Sequence, residues 1–207
     1  MKAERKDGLN TKRRLIEAAE QLFLEKGFEN VTLVDVSKGA GQKNRTAAQY
    51  HFGDRTGLIT AVLDKHNELI SDKRRAMLEA IEEQTAPTLL ELVKASVTPI
   101  VEHIEHHPNG LIYLLLIRQL LNSNRALEYG WQGIVGSTES KRLYDLMREK
   151  MEPHTQEVLN YKMIITQCML FNSLASFYDI RPTENSKVFA DTLCNVMVAV
   201  LLDPTGT

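Results

Sequence analysis

Residues 11–62 read TKRRLIEAAEQLFLEKGFENVTLVDVSKGAGQKNRTAAQYHFGDRTGLITAV, and this stretch decides the fold. Thr11 reads as an N-cap, and Leu15, Ile16, Ala18, Ala19, Leu22 and Phe23 then follow on one face at helical spacing. Gly27 suits the left-handed stop of that helix, with Phe28 placed to fold back over its last turn. Thr32 with Asp35 three residues on forms a capping-box pattern, and Val31 and Val36 take the two positions of a hydrophobic staple. Ala40-Gly41 is the tight turn that separates the two helices of a helix-turn-helix. Asn44 is placed to cap a third helix carrying Arg45, Thr46, Ala47, Ala48, Gln49 and Tyr50. Asp54 caps a fourth, with Leu58, Ile59 and Val62 inward. Four caps stand in register with four apolar faces.

These residues resemble a family. The pattern Ala18-Ala19-x-x-Leu22-Phe23-x-x-x-Gly27-Phe28, then Thr32-x-x-Asp35-Val36, Ala40-Gly41 and Tyr50-His51-Phe52, is similar to the N-terminal domain of the tetracycline-repressor-like (TetR) regulators. It covers about the first 60 residues; beyond them the likeness is in helix number and length. The segment from Gln42 to Phe52 is about one residue longer than the common pattern. Gln42 stands where the family usually buries a Val or Ile. The resemblance implies an all-α chain with a headpiece at 1–53 and a helical effector-binding and dimerisation domain at 54–207. It also implies a repressor that binds a palindromic operator in double-stranded DNA as a homodimer and is released by a small, largely hydrophobic effector.

Within that frame the third helix is expected in the major groove. Arg45 carries the donor fork for guanine and Gln49 the donor–acceptor pair for adenine, while Ala47 is small enough to let the helix sit deep. Thr32, Tyr50, His51 and Arg55 are backbone contacts by resemblance, with Lys43, Asn44 and Thr46 beside them. Charge agrees with this. The whole chain of 207 residues has a net charge of -2, yet its first 60 residues hold eleven Lys and Arg against eight Asp and Glu. Lys2, Arg5, Lys6, Lys12, Arg13 and Arg14 supply over half of that positive charge, which suits an arm or first helix near phosphates.

Further helices are expected from Asp54 to Glu83, Pro87 to His107, Leu111 to Asn122, Thr138 to Met151, Pro153 to Tyr178 and Ser186 to Leu202. The eighth and ninth are the most apolar. They carry Met163, Ile164, Ile165, Met169, Leu170, Phe171 and Leu174, then Phe189, Leu193, Val196, Met197, Val200 and Leu201. A helix apolar nearly all round is covered on every side, by core or by a second copy of the chain. The family likeness favours a homodimer face. His66, Tyr113, Ile117, Arg118, Trp131, Met163, Gln167 and Phe171 are the candidates for an apolar effector pocket with a few polar anchors. Arg118, in an otherwise apolar block, points to an effector with an acidic group.

Other chemistry finds little support. His103 and His107 stand four apart, but they close a helix just before Pro108, where the dipole favours histidine. No metal and no cofactor is expected. Not one of the six histidines has a Glu three residues before it, as a di-iron carboxylate bundle requires. Phosphate-loop and nucleophile-elbow motifs are missing too, so the chain does not read as an enzyme. Cys168 and Cys194 lie in apolar helical stretches and read as buried thiols. The charged N-terminus and the absence of a long apolar run predict a cytoplasmic protein with no membrane partner. A helical small-molecule-binding or oligomerisation protein without specific DNA binding is the alternative.

Overall fold

The computed structural model describes residues 2–122, 137–151, 154–180 and 185–204. Among these the chain is all-α, without a strand, and no helix is long and apolar enough to cross a membrane. It divides into two compact units, Met1–His66 and Asn67–Thr207.

In the first unit α1 (Lys2–Lys26) is followed by a single 3-10 turn at Phe28–Asn30, then α2 (Leu33–Gly39), α3 (Ala47–Phe52) and the first turns of α4 (Arg55–Glu82). α1 therefore begins nine residues before the expected cap, and Thr11 lies inside it. The early turns are polar, so no apolar period announces them. Leu15, Ala19, Phe23, Val31, Val36 and Ala48 form the unit's core with Leu58, Ile59, Val62 and Leu63 of α4. Because those four α4 residues pack here, the division between units falls within α4, after His66, and not at 53/54.

Local chemistry explains the turns. Gly27 has φ 76°, open to glycine at little cost, and brings the Phe28 ring to 4.9 Å from that of Phe23. Gly39 is needed for another reason: a Cβ there would come within 3.3 Å of Leu22, so α1 and α2 approach closely. The Thr32–Asp35 box is fully formed, and Asp54 Oδ1 accepts from the N–H of Gly57.

The second unit holds the rest of α4, α5 (Leu89–His106), α6 (Gly110–Leu121), α7 (Thr138–Glu149), α8 (Gln156–Ile180) and α9 (Ser186–Leu202). α5 packs on α6, α7 and α9, while α8 packs on α6 and α9. α5 starts at Leu89, two residues after Pro87, because Thr88 and Glu91 make a second capping box. Pro99 sits inside α5 and has no N–H for the carbonyl of Ala95, its i−4 neighbour. Lys162, buried in α8, caps the end of α9 by donating to the carbonyls of Leu201 and Asp203. Cys194 is buried, and burial pushes its thiol up to about 11; Cys168 is only half-buried.

Candidate functional site

The outward edge of the first unit is built from α2, the turn after it and α3. Ser37 is the internal fastener. Its hydroxyl donates to the Leu33 carbonyl at 3.0 Å and accepts from the N–H of Ala48 at 2.9 Å, so α3 is tied to α2 by one buried side chain. Sequence reading missed Ser37, which looks like any polar residue on a short helix.

α3 begins at Ala47, with Thr46 at its N-cap position, not at Arg45. Asn44 does not cap the helix; its Oδ1 accepts from the N–H of Thr46 at 3.0 Å and from the Thr46 hydroxyl at 2.8 Å. That Asx-type turn uses residues 44–46 before the helix can start. Lys43, Asn44, Arg45, Thr46, Gln49 and Tyr50 are exposed, and Tyr50 retains 85% of its accessible surface. His51 and Phe52 are half-buried. Ala47 and Ala48 are turned into the unit at 9% and 0% exposure. Ala47 is thus a packing residue and leaves the outward set.

Thr32 is exposed, but its hydroxyl is held by Asp35 Oδ2 at 2.6 Å. The cap keeps the Asp35 carboxyl below its ordinary range, chiefly through the Thr32 side chain and then its backbone N–H. Arg55 departs further from expectation. Its guanidinium donates to the carbonyls of Phe28 and Glu29, with the Glu29 carboxylate 3.6 Å away. It fastens the start of α4 to the 3-10 turn. Behind this face Glu20 is fully buried, with Lys65 Nζ 2.8 Å from both carboxylate oxygens and His66 Nε2 3.1 Å from one. His66 is thus a buried residue beside the Glu20 carboxylate.

In the second unit the remaining ligand candidates separate. Tyr113, Gln167 and Phe171 line one small enclosed cavity with Arg74 and Tyr144, two residues not anticipated. Ile117 and Met163 are buried outside that lining. Arg118 lies at the surface with Nη1 2.6 Å from Asp179 Oδ2, so it is not a pocket anchor. Trp131 lies outside the described residues. The Tyr113 hydroxyl donates to Asn67 Oδ1 at 2.9 Å, and burial pushes it up to about 12. Burial pushes the Tyr144 phenol up as well.

A capped α2, a tight glycine turn and a short α3 with an exposed polar edge, held on a longer α1, make the first unit a helix-turn-helix DNA-binding domain. Residues 15–62 match the family model described as bacterial regulatory proteins, tetR family. Residues 15–62 are thus similar to the N-terminal domain of that family. Over 72 residues it is 33% identical to the HTH-type transcriptional regulator TtgR of Pseudomonas putida and, equally, to a probable HTH-type transcriptional regulator, ArpR, of the same species. These stretches are 35% of this chain and 34% of each relative, so the chain spans about a third of their length. In fold the likeness is end to end. A protein assigned to the TetR family from Mesorhizobium loti superposes with a TM-score of 0.58 at 15% identity, covering 97% of this chain and 98% of that one. The fatty acid degradation regulator FadR of Bacillus halodurans gives 0.60 at 17%, covering 94% and 95%.

Proposed function

We propose that this chain is a ligand-responsive transcriptional regulator, acting as a repressor and not as an enzyme, which binds a palindromic operator as a homodimer. The observation that carries it is the exposed polar edge of the helix-turn-helix, where Arg45, Gln49 and Tyr50 stand out from a frame locked by Ser37 and the Thr32–Asp35 box. Arg45 and Gln49 are the base readers in this proposal. Thr32, Lys43, Asn44, Thr46, Tyr50 and His51 lie along the phosphates, with Lys12, Arg13 and Arg14, all exposed on α1, adding charge.

The dimer forms through α8 and α9. Tyr161, Ile164 and Ile165 are exposed on α8, as are Val188 and Val196 on α9, at helical spacing. A groove between the two helices continues this apolar surface with Met169, Phe177 and Phe189. Leu193 and Met197, by contrast, point into the unit at 6% and 1% exposure. Apolar area of this kind supports an isologous contact, which would set two headpieces at the spacing of operator half-sites. The effector enters the second unit. Cytoplasmic placement follows from the role.

Selection of bound sites from a random DNA pool, with sedimentation of the free protein, tests the proposal. A palindromic consensus and a dimer are expected. Salt-sensitive binding without any sequence preference, or a monomer at micromolar concentration, would overturn it.

A further inference from the structure

Arg74 is buried at 6% exposure, and among the described residues no carboxylate lies within ion-pair distance of it. Its three nitrogens meet only neutral acceptors. Nε donates to the carbonyl of Ala95 at 3.2 Å, Nη1 to the hydroxyl of Ser140 at 2.8 Å and Nη2 to the carbonyl of Ser96 at 3.3 Å. Guanidinium has five N–H groups and does not give up its proton in proteins, so the charge stays and two donors remain over. Burial works against that charge, and Glu139, a carboxylate whose field acts on it, is already bonded to Arg75 at 2.7 Å. A buried cation with neutral partners alone is costly unless something else supplies the anion.

Two more groups beside it are incomplete. Gln167 is near enough to Tyr144 to act on its hydroxyl, yet no hydrogen bond of good geometry joins them. Among the described residues the Tyr144 hydroxyl and Gln167 Oε1 are both buried without a hydrogen-bond partner. Arg74, Tyr144 and Gln167 border the same cavity, whose other walls include the apolar Ile100, Leu143 and Phe171. The free space is about 10 Å³, which is room for roughly one water. α7 forms one wall: it buries Ser140, Leu143, Met147 and the Tyr144 hydroxyl, and Arg75–Glu139, Arg142–Glu82 and Arg148–Asn160 hold its outer face.

We propose that Arg74 is the anion-recognising residue of a site for small monocarboxylic acids with an apolar body. The carboxylate takes the Nη1/Nη2 edge in the two-point geometry that guanidinium favours, displacing Ser140. Tyr144 donates its hydroxyl to the same carboxylate, the apolar body lies against Ile100 and Phe171, and α7 lifts to admit it. The proposal rests on the regulator reading only in calling such an acid the effector.

A competing role is visible on the same residue. Pro99 leaves the Ala95 carbonyl without its helical donor, and Arg74 Nε fills that gap. The two roles separate by experiment. Calorimetric titration of the full chain, without DNA, uses acetate, hexanoate, octanoate and benzoate, with hexanamide and benzamide as uncharged isosteres. Saturable binding is expected for at least hexanoate or benzoate, with the matching amide at least tenfold weaker. R74M should lose at least tenfold in acid affinity. P99A, which gives Ala95 its own donor, should keep acid affinity within threefold. Absence of saturable acid binding across the series, equal binding of acid and amide, or acid affinity lost with P99A overturns the proposal. Should R74M fail to fold by circular dichroism, Y144F is read instead: a threefold or greater weakening for the acid supports the site, and unchanged affinity removes it. Operator binding of the ligand-free protein is measured separately. DNA binding without acid binding ends this proposal alone, and acid binding without DNA binding ends the regulator reading alone.

Discussion

The N–H of Ala48 donates to the Ser37 hydroxyl across 2.9 Å, and both residues are fully buried. This bond joins α2 to α3. S37A leaves the Ala48 donor buried without an acceptor, a loss of about 1–3 kcal/mol. Urea unfolding should show that loss, and operator affinity should fall with it. A midpoint equal to that of the unmodified chain would mean that the two helices are held by apolar packing alone.

Arg55 and Lys43 should separate in their effects. Arg55 spends its donors on the Phe28 and Glu29 carbonyls, so R55A should lower stability by roughly 1–2 kcal/mol. It should leave the salt dependence of DNA binding nearly unchanged. Exposed Lys43 should do the reverse: K43Q keeps stability and reduces the salt slope by about one unit. Swapped results would return Arg55 to the phosphate contacts.

For sequence reading, R45A should cost about 1–3 kcal/mol and relax preference at one base pair. Binding to a panel of single-base variants of the selected operator measures this. A uniform loss across the panel would identify Arg45 as a backbone contact.

Assembly is tested on outward residues. V196E places a charge on the exposed stripe and should give folded monomers with lost operator binding. L193E is the control, because Leu193 faces inward and its charge should unfold the second unit. Sedimentation and circular dichroism distinguish the two. A V196E dimer would move the interface elsewhere.

The pH dependence follows from the two capping boxes. Asp35 is held low by Thr32, and Glu91 is held low by the backbone and side chain of Thr88. Depressed carboxyls contribute stability in full above their ordinary values near 4, and lose it as pH falls through the folded-state values below that. D35N and E91Q should therefore be less stable than the unmodified chain at pH 7, with the difference shrinking below about pH 4. Both acids are at the surface, so a difference constant with pH would assign the effect to packing.

Where local chemistry decides, the sequence was legible. Thr32–Asp35, the turn at Ala40-Gly41 and Asp54 act as their residue types predict, while Gly27 takes the positive φ expected of it but at ψ 154°, outside the left-handed helical region. The start of α3 was not, because the Asn44 side chain serves Thr46 instead of the helix, a choice between two local bonds of similar worth. Arg55 was misplaced since an exposed-looking Arg after a cap gives no sign of carbonyls 26 and 27 residues earlier. The second unit was harder. Arg74 stands in the charged run Asp72-Lys73-Arg74-Arg75, which reads as a solvated face, while Arg118 in an apolar block looks like the anchor. Tertiary packing reverses them, and only the fold shows which cation is inside.

Pro99 and Arg74 lie on different helices, yet the Ala95 carbonyl makes each one's value depend on the other. Replacing Pro99 first is mild, since the helix then provides the missing donor. Replacing Arg74 first leaves a buried carbonyl with nothing to accept from. Substitutions at the two positions are therefore not additive, and they are not interchangeable in order. A lineage descending from this chain has an easy route out of the arrangement in one direction only, with the proline leaving before the arginine.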